Sequence, residues 1–269
     1  MAVDHATDIR RTLTGIIVVA VLIIALWIQG WARFITIAFV STLGLWEFYS
    51  LFWGRNGRIS TRLCAIGLGW TMLYLTWLNR PQDSLVCLGI GFILASMSFL
   101  FRWDVVEEEK AFSASGIFMA GLAYVPLLLL PATYVSNIQL IYVLASVAIS
   151  DTSAYFVGTR FGHHKLWPRV SPHKSSEGAV GSLIGCVLFS VIYGYFLGKA
   201  NFLAFLLLGI AVNAFAQLGD LFESALKRSV NVKDSGSLLP GHGGMLDRID
   251  SFLFTMPMVA VADQWFFFF

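Results

Sequence analysis

The sequence contains little charge for its length. Only 13% of the 269 residues are Asp, Glu, Lys or Arg, against about 25% in average soluble domains, while 57% are apolar. A protein of this size that faced water on all sides would need more charged residues to cover its surface. The shortage excludes a soluble globular domain and indicates that much of the surface faces lipid.

The sequence also has few cysteines and little net positive charge. Cys64, Cys87 and Cys186 lie in apolar segments without CxxC spacing, which argues against a disulfide framework and a zinc site. The 18 Lys and Arg barely exceed the 16 Asp and Glu, so the net charge is only +2. No nucleic-acid partner is expected, because proteins that bind nucleic acids carry strongly basic surfaces.

Long hydrophobic runs are abundant. A helix needs about 20 mostly apolar residues to cross a bilayer, and runs of this kind are separated here by polar, Gly-containing or Pro-containing breaks. We predict an all-α polytopic integral membrane protein with about nine transmembrane helices. The predicted spans are 12–28, 31–53, 62–79, 84–101, 112–131, 137–159, 178–198, 201–227 and 247–268.

The distribution of Lys and Arg predicts the orientation. All of the 18 basic residues except Arg33, Arg80 and Lys199 fall in the N-terminal tail and in alternate connections on the same side. Because cytoplasmic segments carry the excess of Lys and Arg, the N-terminus is predicted to be cytoplasmic. The two long connections, 160–177 and 228–246, are then cytoplasmic as well, and long loops are often functional.

These patterns divide the chain into two regions. Residues 1–136 hold spans 1 to 5 and carry no chemical motif beyond hydropathy. Residues 137–269 hold spans 6 to 9 and both long cytoplasmic loops. We therefore expect the catalytic region to be the second one.

Ionisable residues within predicted spans are candidates for function, because they usually face a protein interior or a wet cavity. In the eighth span Asp220, Glu223, Ser224 and Lys227 share one helical stripe at spacings of i, i+3, i+4 and i+7. An alternative interpretation is a polar stripe that pairs internally at the membrane interface.

Apart from that stripe and the start of the ninth span, three acids lie within predicted spans. Asp151 opens the segment DTSAYFVG of the sixth span and is a second functional candidate. Glu47 and Asp263 each stand alone among aromatic residues, so we expect a purely structural role for both.

The start of the ninth span combines acids with a glycine-rich loop. Asp247 and Asp250 are three residues apart, which places them on one face of a helix and near its N-terminus. The preceding His242-Gly243-Gly244 has backbone N–H groups that can surround phosphate oxygens. Oxygen ligands without cysteine favour Mg²⁺ or Mn²⁺ over Zn²⁺, so we expect a site for polyphosphate and a hard metal ion.

Residues 224–250 read SALKRSVNVKDSGSLLPGHGGMLDRID. This segment resembles the signature of the phosphatidate cytidylyltransferases, or CDP-diacylglycerol synthases, at every specified position. The matching positions are Ser224, Lys227, Arg228, Lys233, Asp234, Gly236, Pro240, His242, Gly243, Gly244, Asp247, Arg248 and Asp250. Segments 151–158, DTSAYFVG, and 171–178, SPHKSSEG, are similar to two further family motifs.

The resemblance implies an enzyme that joins phosphatidic acid to CTP, forming CDP-diacylglycerol and pyrophosphate, with Mg²⁺ required. It leaves room for a second cation in the site and implies a homodimer in the bacterial cytoplasmic membrane, with the active site on the cytoplasmic side. Gly181-x-x-x-Gly185 is a small-residue helix-packing motif, but it does not assign the dimer interface.

The resemblance and the chemistry of joining two polyanions assign roles to three sets of residues. The predicted catalytic residues are Lys227, Arg228, Lys233, Asp247, Arg248 and Asp250. The predicted substrate-binding residues are Asp151, Ser171, Lys174, Ser175, Ser224, His242, Gly243 and Gly244. The predicted metal ligands are Asp220, Glu223, Asp247 and Asp250.

Other functions remain open at the level of sequence. One is an enzyme of the same superfamily that acts on another lipid, such as a CDP-archaeol synthase or a CTP-dependent polyprenol kinase. Another is an ion-coupled transporter, in which the acids of the sixth and eighth spans would form an ion site. A catalytically silent membrane scaffold is a third, although the embedded charges would then cost folding free energy without serving a function. The clustering of polar residues near the phosphate-binding loops favours the enzyme.

Overall fold

The computed structural model describes Ile28 and residues 30–103, 105–236 and 243–269. These residues form long α-helices and one short antiparallel hairpin. The chain divides into two compact units. The first comprises Met1–Tyr134 with Asp234–Asp247, and the second comprises Val135–Lys233 with Arg248–Phe269.

The described residues of the first unit form four long helices and a short segment that follows the fourth. Its elements are α1 (Gly30–Trp53), α2 (Ile59–Trp77), α3 (Pro81–Leu100), α4 (Glu108–Tyr124), α5 (Pro126–Leu129) and a 3₁₀ turn (Leu130–Thr133). Its core is aromatic and tightly packed around Tyr49 of α1. The Tyr49 hydroxyl donates to the carbonyl oxygen of Phe118 at 2.8 Å, and the ring lies against Gly121, where a Cβ atom would overlap it.

The buried side chain of Arg62 lies at the C-terminal end of α1. The guanidinium of Arg62 donates to Ser50 Oγ at 3.0 Å and to the carbonyl oxygens of Gly54 and Arg55. It also lies over the Trp46 ring, 5.0 Å from the centroid. Arg62 thus holds the turn that follows α1 through its carbonyl oxygens.

Two prolines interrupt the segment that the sequence predicts as one span at 112–131. Helix α4 ends at Tyr124, and Pro126 begins the four-residue α5, because a proline has no N–H group to donate to the carbonyl oxygen four residues before it. Pro131 then lies in the 3₁₀ turn. The combined segment Glu108–Thr133 is still long and apolar enough to cross a membrane.

The second unit contains four long helices and the hairpin. Its elements are α6 (Asn137–Phe161), β1 (Lys165–Trp167), β2 (Ser171–Ser175), α7 (Ser176–Leu197), α8 (Phe202–Ser229) and α9 (Leu246–Phe266), of which the first two residues belong to the first unit. Ser136 and Gln139 form a capping box at the start of α6. The strands pair antiparallel, with Lys165 opposite Ser175. This hairpin was not expected from the sequence, which predicts only a connection at 160–177.

Small residues allow α6 and α7 to approach closely. Gly181 packs on the side chain of Val157, and Gly185 packs on Ser153, so that a Cβ atom at either glycine would overlap its neighbour. The Gly181-x-x-x-Gly185 motif therefore serves packing within the chain.

The prediction of an all-α membrane protein is confirmed apart from the hairpin. Described helices occupy the positions of eight predicted spans, and six helical segments meet the length and composition of a membrane span. The two exceptions carry charge: α2 contains Arg62, and α9 contains Asp247, Arg248, Asp250 and Asp263. The first predicted span, 12–28, lies outside the described residues except for its last position.

Candidate active site

A pocket of about 590 Å³ opens in the second unit between α6, the hairpin, α7 and α8. Four of the predicted site residues line it together: Asp151, Lys174, Ser175 and Asp220. Its other lining residues are Ser150, Ala154, Tyr155, Gly158, Thr159, Leu166, His173, Gly178, Ala179, Ser182 and Gln217. The pocket thus combines an apolar wall with a few converging polar groups, as small-molecule sites commonly do.

An ion pair crosses this pocket. Lys174 Nζ from β2 contacts Asp220 Oδ2 from α8, and both side chains are partly exposed. Asp220 Oδ1 accepts a hydrogen bond from Ser224 Oγ at 3.3 Å. Asp151 from α6 is repelled by Asp220 and attracted by Lys174 and Arg248. Three separate elements therefore bring opposite charges to one site.

Asp250 of α9 belongs to the same electrostatic group. Its carboxylate is repelled by Asp220 and Asp151 and attracted by Lys227. One of its oxygens, Oδ1, accepts a hydrogen bond from the backbone N–H of Ser251 at 2.6 Å. The second unit therefore gathers three carboxylates whose mutual repulsion would be relieved by a cation.

The hairpin places its polar residues at the start of α7. Ser175 Oγ accepts from the backbone N–H of Gly178 at 3.1 Å and caps the helix, while Ser171 begins β2. Glu177 Oε1 lies 2.7 Å from Nδ1 of His164, and the backbone N–H of His164 also points at this carboxylate. The segment that resembles a family motif is thereby fixed against α7.

Part of the polar stripe on α8 pairs internally. Lys227 Nζ contacts Glu223 Oε2 one helical turn away, and the Glu223 side chain is fully buried. Ser224 bonds to Asp220, as described above. The alternative interpretation of the stripe therefore holds for these contacts, whereas the Asp220 carboxylate also reaches the pocket.

The predicted phosphate-binding cations differ in their surroundings. Arg228 donates from Nε to the carbonyl oxygen of Val170 at 3.3 Å and from Nη1 to that of Val232 at 3.1 Å. It therefore ties the end of α8 to the hairpin. Lys233 and Arg248 are exposed.

In the first unit, Asp247 is held by the glycine-rich loop itself. Its Oδ2 atom accepts from Ser235 N at 3.1 Å, from Ser235 Oγ at 2.9 Å and from Gly244 N at 2.9 Å. Gly243 has φ of 79°, a left-handed conformation that glycine adopts without strain. His242 lies outside the described residues.

The predicted metal ligands do not form one compact cluster. Within the described part of the chain, no group of three or more His, Cys, Asp or Glu is arranged to hold a metal ion by itself. Carboxylate oxygens are nevertheless the right donors for Mg²⁺, which commonly binds one or two carboxylates and completes its shell with water and substrate phosphates. Asp151, Asp220 and Asp250 carry oxygen donors of this kind.

A buried polar network beside the pocket was missed by the sequence reasoning. Asn213 Oδ1 accepts from Ser150 Oγ at 3.1 Å and from Ser182 Oγ at 2.7 Å. Gln217 Nε2 donates to Ser182 Oγ at 2.9 Å. The signal was present, because positions 213 and 217 extend the Asp220 stripe backwards along the same face of α8.

Comparison with known families matches nearly the whole chain. The sequence profile described as the Cytidylyltransferase family matches residues 9–266.

Curated relatives agree with that match. The chain is 32% identical over 257 residues to a protein of Staphylococcus haemolyticus (strain JCSC1435) named phosphatidate cytidylyltransferase. It is 34% identical over 258 residues to a protein of that name from Staphylococcus saprophyticus and 33% identical over 258 residues to one from Staphylococcus aureus (strain COL). Each alignment covers 93% of this chain and 97% of the relative.

Proposed function

This chain belongs to the cytidylyltransferase family, and from that premise we propose that it transfers the cytidylyl group of CTP to phosphatidic acid. The products are CDP-diacylglycerol and pyrophosphate. The observation that carries the proposal is coverage, because relatives named phosphatidate cytidylyltransferase match 93% of the chain. The enzyme is a CTP-dependent nucleotidyltransferase of phospholipid biosynthesis. Its partners are CTP, phosphatidic acid and membrane lipids.

The reaction requires charge control more than proton transfer. The nucleophile is a phosphate monoester whose second pKa is near 6, so it is already largely ionised at neutral pH. The barrier is the approach of this dianion to the α-phosphate of CTP, another polyanion. Catalysis then depends on positioning and on neutralising charge, as in other phosphoryl transfers.

The residues of the pocket can meet this requirement. Lys174 lies in the pocket and can exchange its bond to Asp220 for a phosphate oxygen of the substrate. Mg²⁺, when bound, would supply charge neutralisation at the phosphates, and we propose that one or two of the carboxylates of Asp151, Asp220 and Asp250 would hold it, with water and substrate phosphates as its other ligands. Asp247, Lys233 and Arg248 are assigned to the reaction from the family signature. A second cation and a homodimer are further expectations of the same kind.

The membrane arrangement is part of the proposal. We propose nine spans, a cytoplasmic N-terminus and an active site on the cytoplasmic side of the bacterial inner membrane. Support comes from the distribution of Lys and Arg, which places the loops 160–177 and 228–246 on the inner side.

Cysteine labelling tests this topology. In a background without Cys64, Cys87 and Cys186, a Ser237→Cys variant should react with an impermeant maleimide only after the inner face is opened. Labelling from outside intact cells would contradict the cytoplasmic active site.

The decisive test of activity uses purified protein, labelled CTP and phosphatidic acid in mixed micelles, with and without Mg²⁺. We expect labelled CDP-diacylglycerol only when both substrates and Mg²⁺ are present. Polyprenol and an archaeal-type unsaturated ether lipid serve as competing acceptors. Turnover of either in preference to phosphatidic acid would replace the proposed substrate with that of a related enzyme.

A further inference from the structure

Glu47 is a buried acid in a helix that is long and apolar enough to cross the membrane. It lies in α1 and is only 2% exposed. Its Oε2 atom accepts from the backbone N–H of Leu246 at 2.8 Å and from Ser235 Oγ at 3.2 Å. These partners lie 199 and 188 positions away in the sequence. The acid therefore connects the first long helix to the signature segment near the end of the chain.

Glu47 contacts both ends of the glycine-rich loop. Ser235 and Gly236 lie on the N-terminal side of the loop, and Gly244 is the last residue of its His242-Gly243-Gly244 segment. A Cβ atom at either of these glycines would overlap an oxygen of the Glu47 carboxyl group. The two glycines thus leave the space in which the carboxylate lies against the backbone.

The bond to Leu246 also caps a helix from a distance. Helix α9 begins at Leu246, and the first N–H groups of a helix have no partners within it. A carboxylate at this end is favoured by the helix dipole. Glu47 therefore stabilises the start of the helix that carries Asp247 and Asp250.

Ser235 links this acid to Asp247. Its hydroxyl lies 2.9 Å from Asp247 Oδ2 and 3.2 Å from Glu47 Oε2. Because one hydroxyl carries one proton, a bond to either carboxylate is made at the expense of the other. A change at Glu47 therefore alters the hydrogen bonds that orient Asp247.

We propose that Glu47 is a positioning residue of the cytidylyl transfer, which fixes both ends of the glycine-rich loop and the first turn of α9 and so orients Asp247. The inference rests on the proposed function, in which Asp247 takes part in the reaction. It assigns a role in the reaction to the first region, which carries no family motif.

The experiment compares two substitutions of Glu47 that differ in one property. Glu47→Leu removes the acceptor, whereas Glu47→Gln keeps a carbonyl oxygen that can accept from Leu246 and Ser235. We expect Glu47→Leu to lower kcat by about tenfold or more with little change in the KM for CTP, and Glu47→Gln to recover to within about threefold of wild type. A purely structural role would lower the amount of folded enzyme and leave the activity per folded molecule unchanged.

Hydrogen exchange gives a readout that does not depend on turnover. In Glu47→Leu, peptides that cover 243–250 should exchange faster than in wild type, because the cap on Leu246 is lost. Asp263→Asn is the matched control, since Asp263 is another acid within a predicted span and its bonds are to Gln139 and Phe269. It should leave both kcat and exchange at 243–250 unchanged.

Three results would overturn the proposal. They are a folded Glu47→Leu with normal kcat and normal exchange, a loss that Glu47→Gln does not recover, and a rise in KM at unchanged kcat. If Glu47→Leu does not fold, Ser235→Ala and its combination with Glu47→Gln replace it, and their effects on kcat must be non-additive. A wild-type protein that makes no CDP-diacylglycerol would reject the proposed function instead, while the exchange experiment would still test the cap.

Discussion

The two units of the molecule hold their carboxylates in different ways. In the first unit, Asp247 and Glu47 accept hydrogen bonds from backbone N–H groups and from Ser235. In the second unit, Asp220 pairs with a lysine side chain, and Asp151 and Asp250 lie within its electrostatic influence. The first arrangement relies mainly on backbone donors, whereas the second relies on charged side chains apart from the bond that the backbone N–H of Ser251 donates to Asp250.

This difference indicates that the two sets of carboxylates have different roles. Asp247 Oδ2 accepts two backbone hydrogen bonds and lies within reach of the Ser235 hydroxyl, so that atom has little capacity left for a cation and its orientation is set before any ligand binds. A carboxylate paired with a lysine can exchange that partner for a metal ion while the lysine turns to a phosphate. We infer that the carboxylates at the pocket of the second unit exchange partners during the reaction, whereas the orientation of Asp247 is set beforehand by Ser235 and Gly244.

The largest expected effect compares two acids one helical turn apart on α9. Asp250→Asn should lower kcat by about 100-fold or more, because it removes a charge from the group of three carboxylates. Asp247→Asn should lower kcat by about tenfold, since the amide carbonyl can still accept from Ser235 and Gly244. Steady-state kinetics on folded protein measures both. Equal losses would break the proposed distinction between the two units.

The next effect separates two lysines of the second unit. Lys174→Ala should raise the KM for CTP by about tenfold with a small change in Tm, because its ion pair is partly exposed. Lys227→Ala should instead lower stability by about 3 kcal/mol, since it removes the cation paired with fully buried Glu223. CTP titrations and thermal unfolding in detergent distinguish the two.

Two further variants sharpen the lysine comparison. Lys199→Ala is the control for the general loss of a positive charge. Lys199 does not line the pocket, and its ammonium group bonds to the carbonyl oxygen of Phe269. In the Lys227→Met/Glu223→Gln double variant, stability should return toward wild type. A normal KM in Lys174→Ala would remove that lysine from substrate binding.

The smallest effect is expected at Asp263. Its oxygens accept from Gln139 Nε2 and from the backbone N–H of Phe269, so both partners belong to the second unit and lie away from the pocket. Asp263→Asn keeps one acceptor oxygen and should change kcat by less than about twofold, with a small decrease in Tm. A large fall in kcat would show that Asp263 has a role in the reaction in spite of its hydrogen bonds to Gln139 and Phe269.

Much of the helical architecture was predictable, because each membrane helix satisfies its backbone internally and leaves a long apolar run in the sequence. The sequence contains Pro126, but the apolar residues on both sides of it led to the prediction of one continuous span. The hairpin was not predictable from hydropathy, since its strands are short, polar and exposed.

Glu47 and Asp263 have different contacts that the sequence pattern around them does not distinguish. Glu47 and Asp263 have similar aromatic neighbours along the chain, and the sequence predicts a structural role for both. The contacts separate them: Asp263 bonds within the second unit, and Glu47 bonds to the signature loop. No local pattern contains this difference, because the partners of Glu47 are almost 200 positions away.

The sequence alone determined the class of protein, the membrane helices and the family, because hydrophobic length and a gapless signature are properties of neighbouring residues. Only the tertiary structure brought Lys174 to Asp220, bonded Asn213 to Ser150 and Ser182, and placed Glu47 against Ser235 and Leu246. Such contacts depend on how distant helices pack, and packing is set by many side chains at once. For this reason the chemistry could be anticipated from the motif, whereas the groups that hold it in position could not.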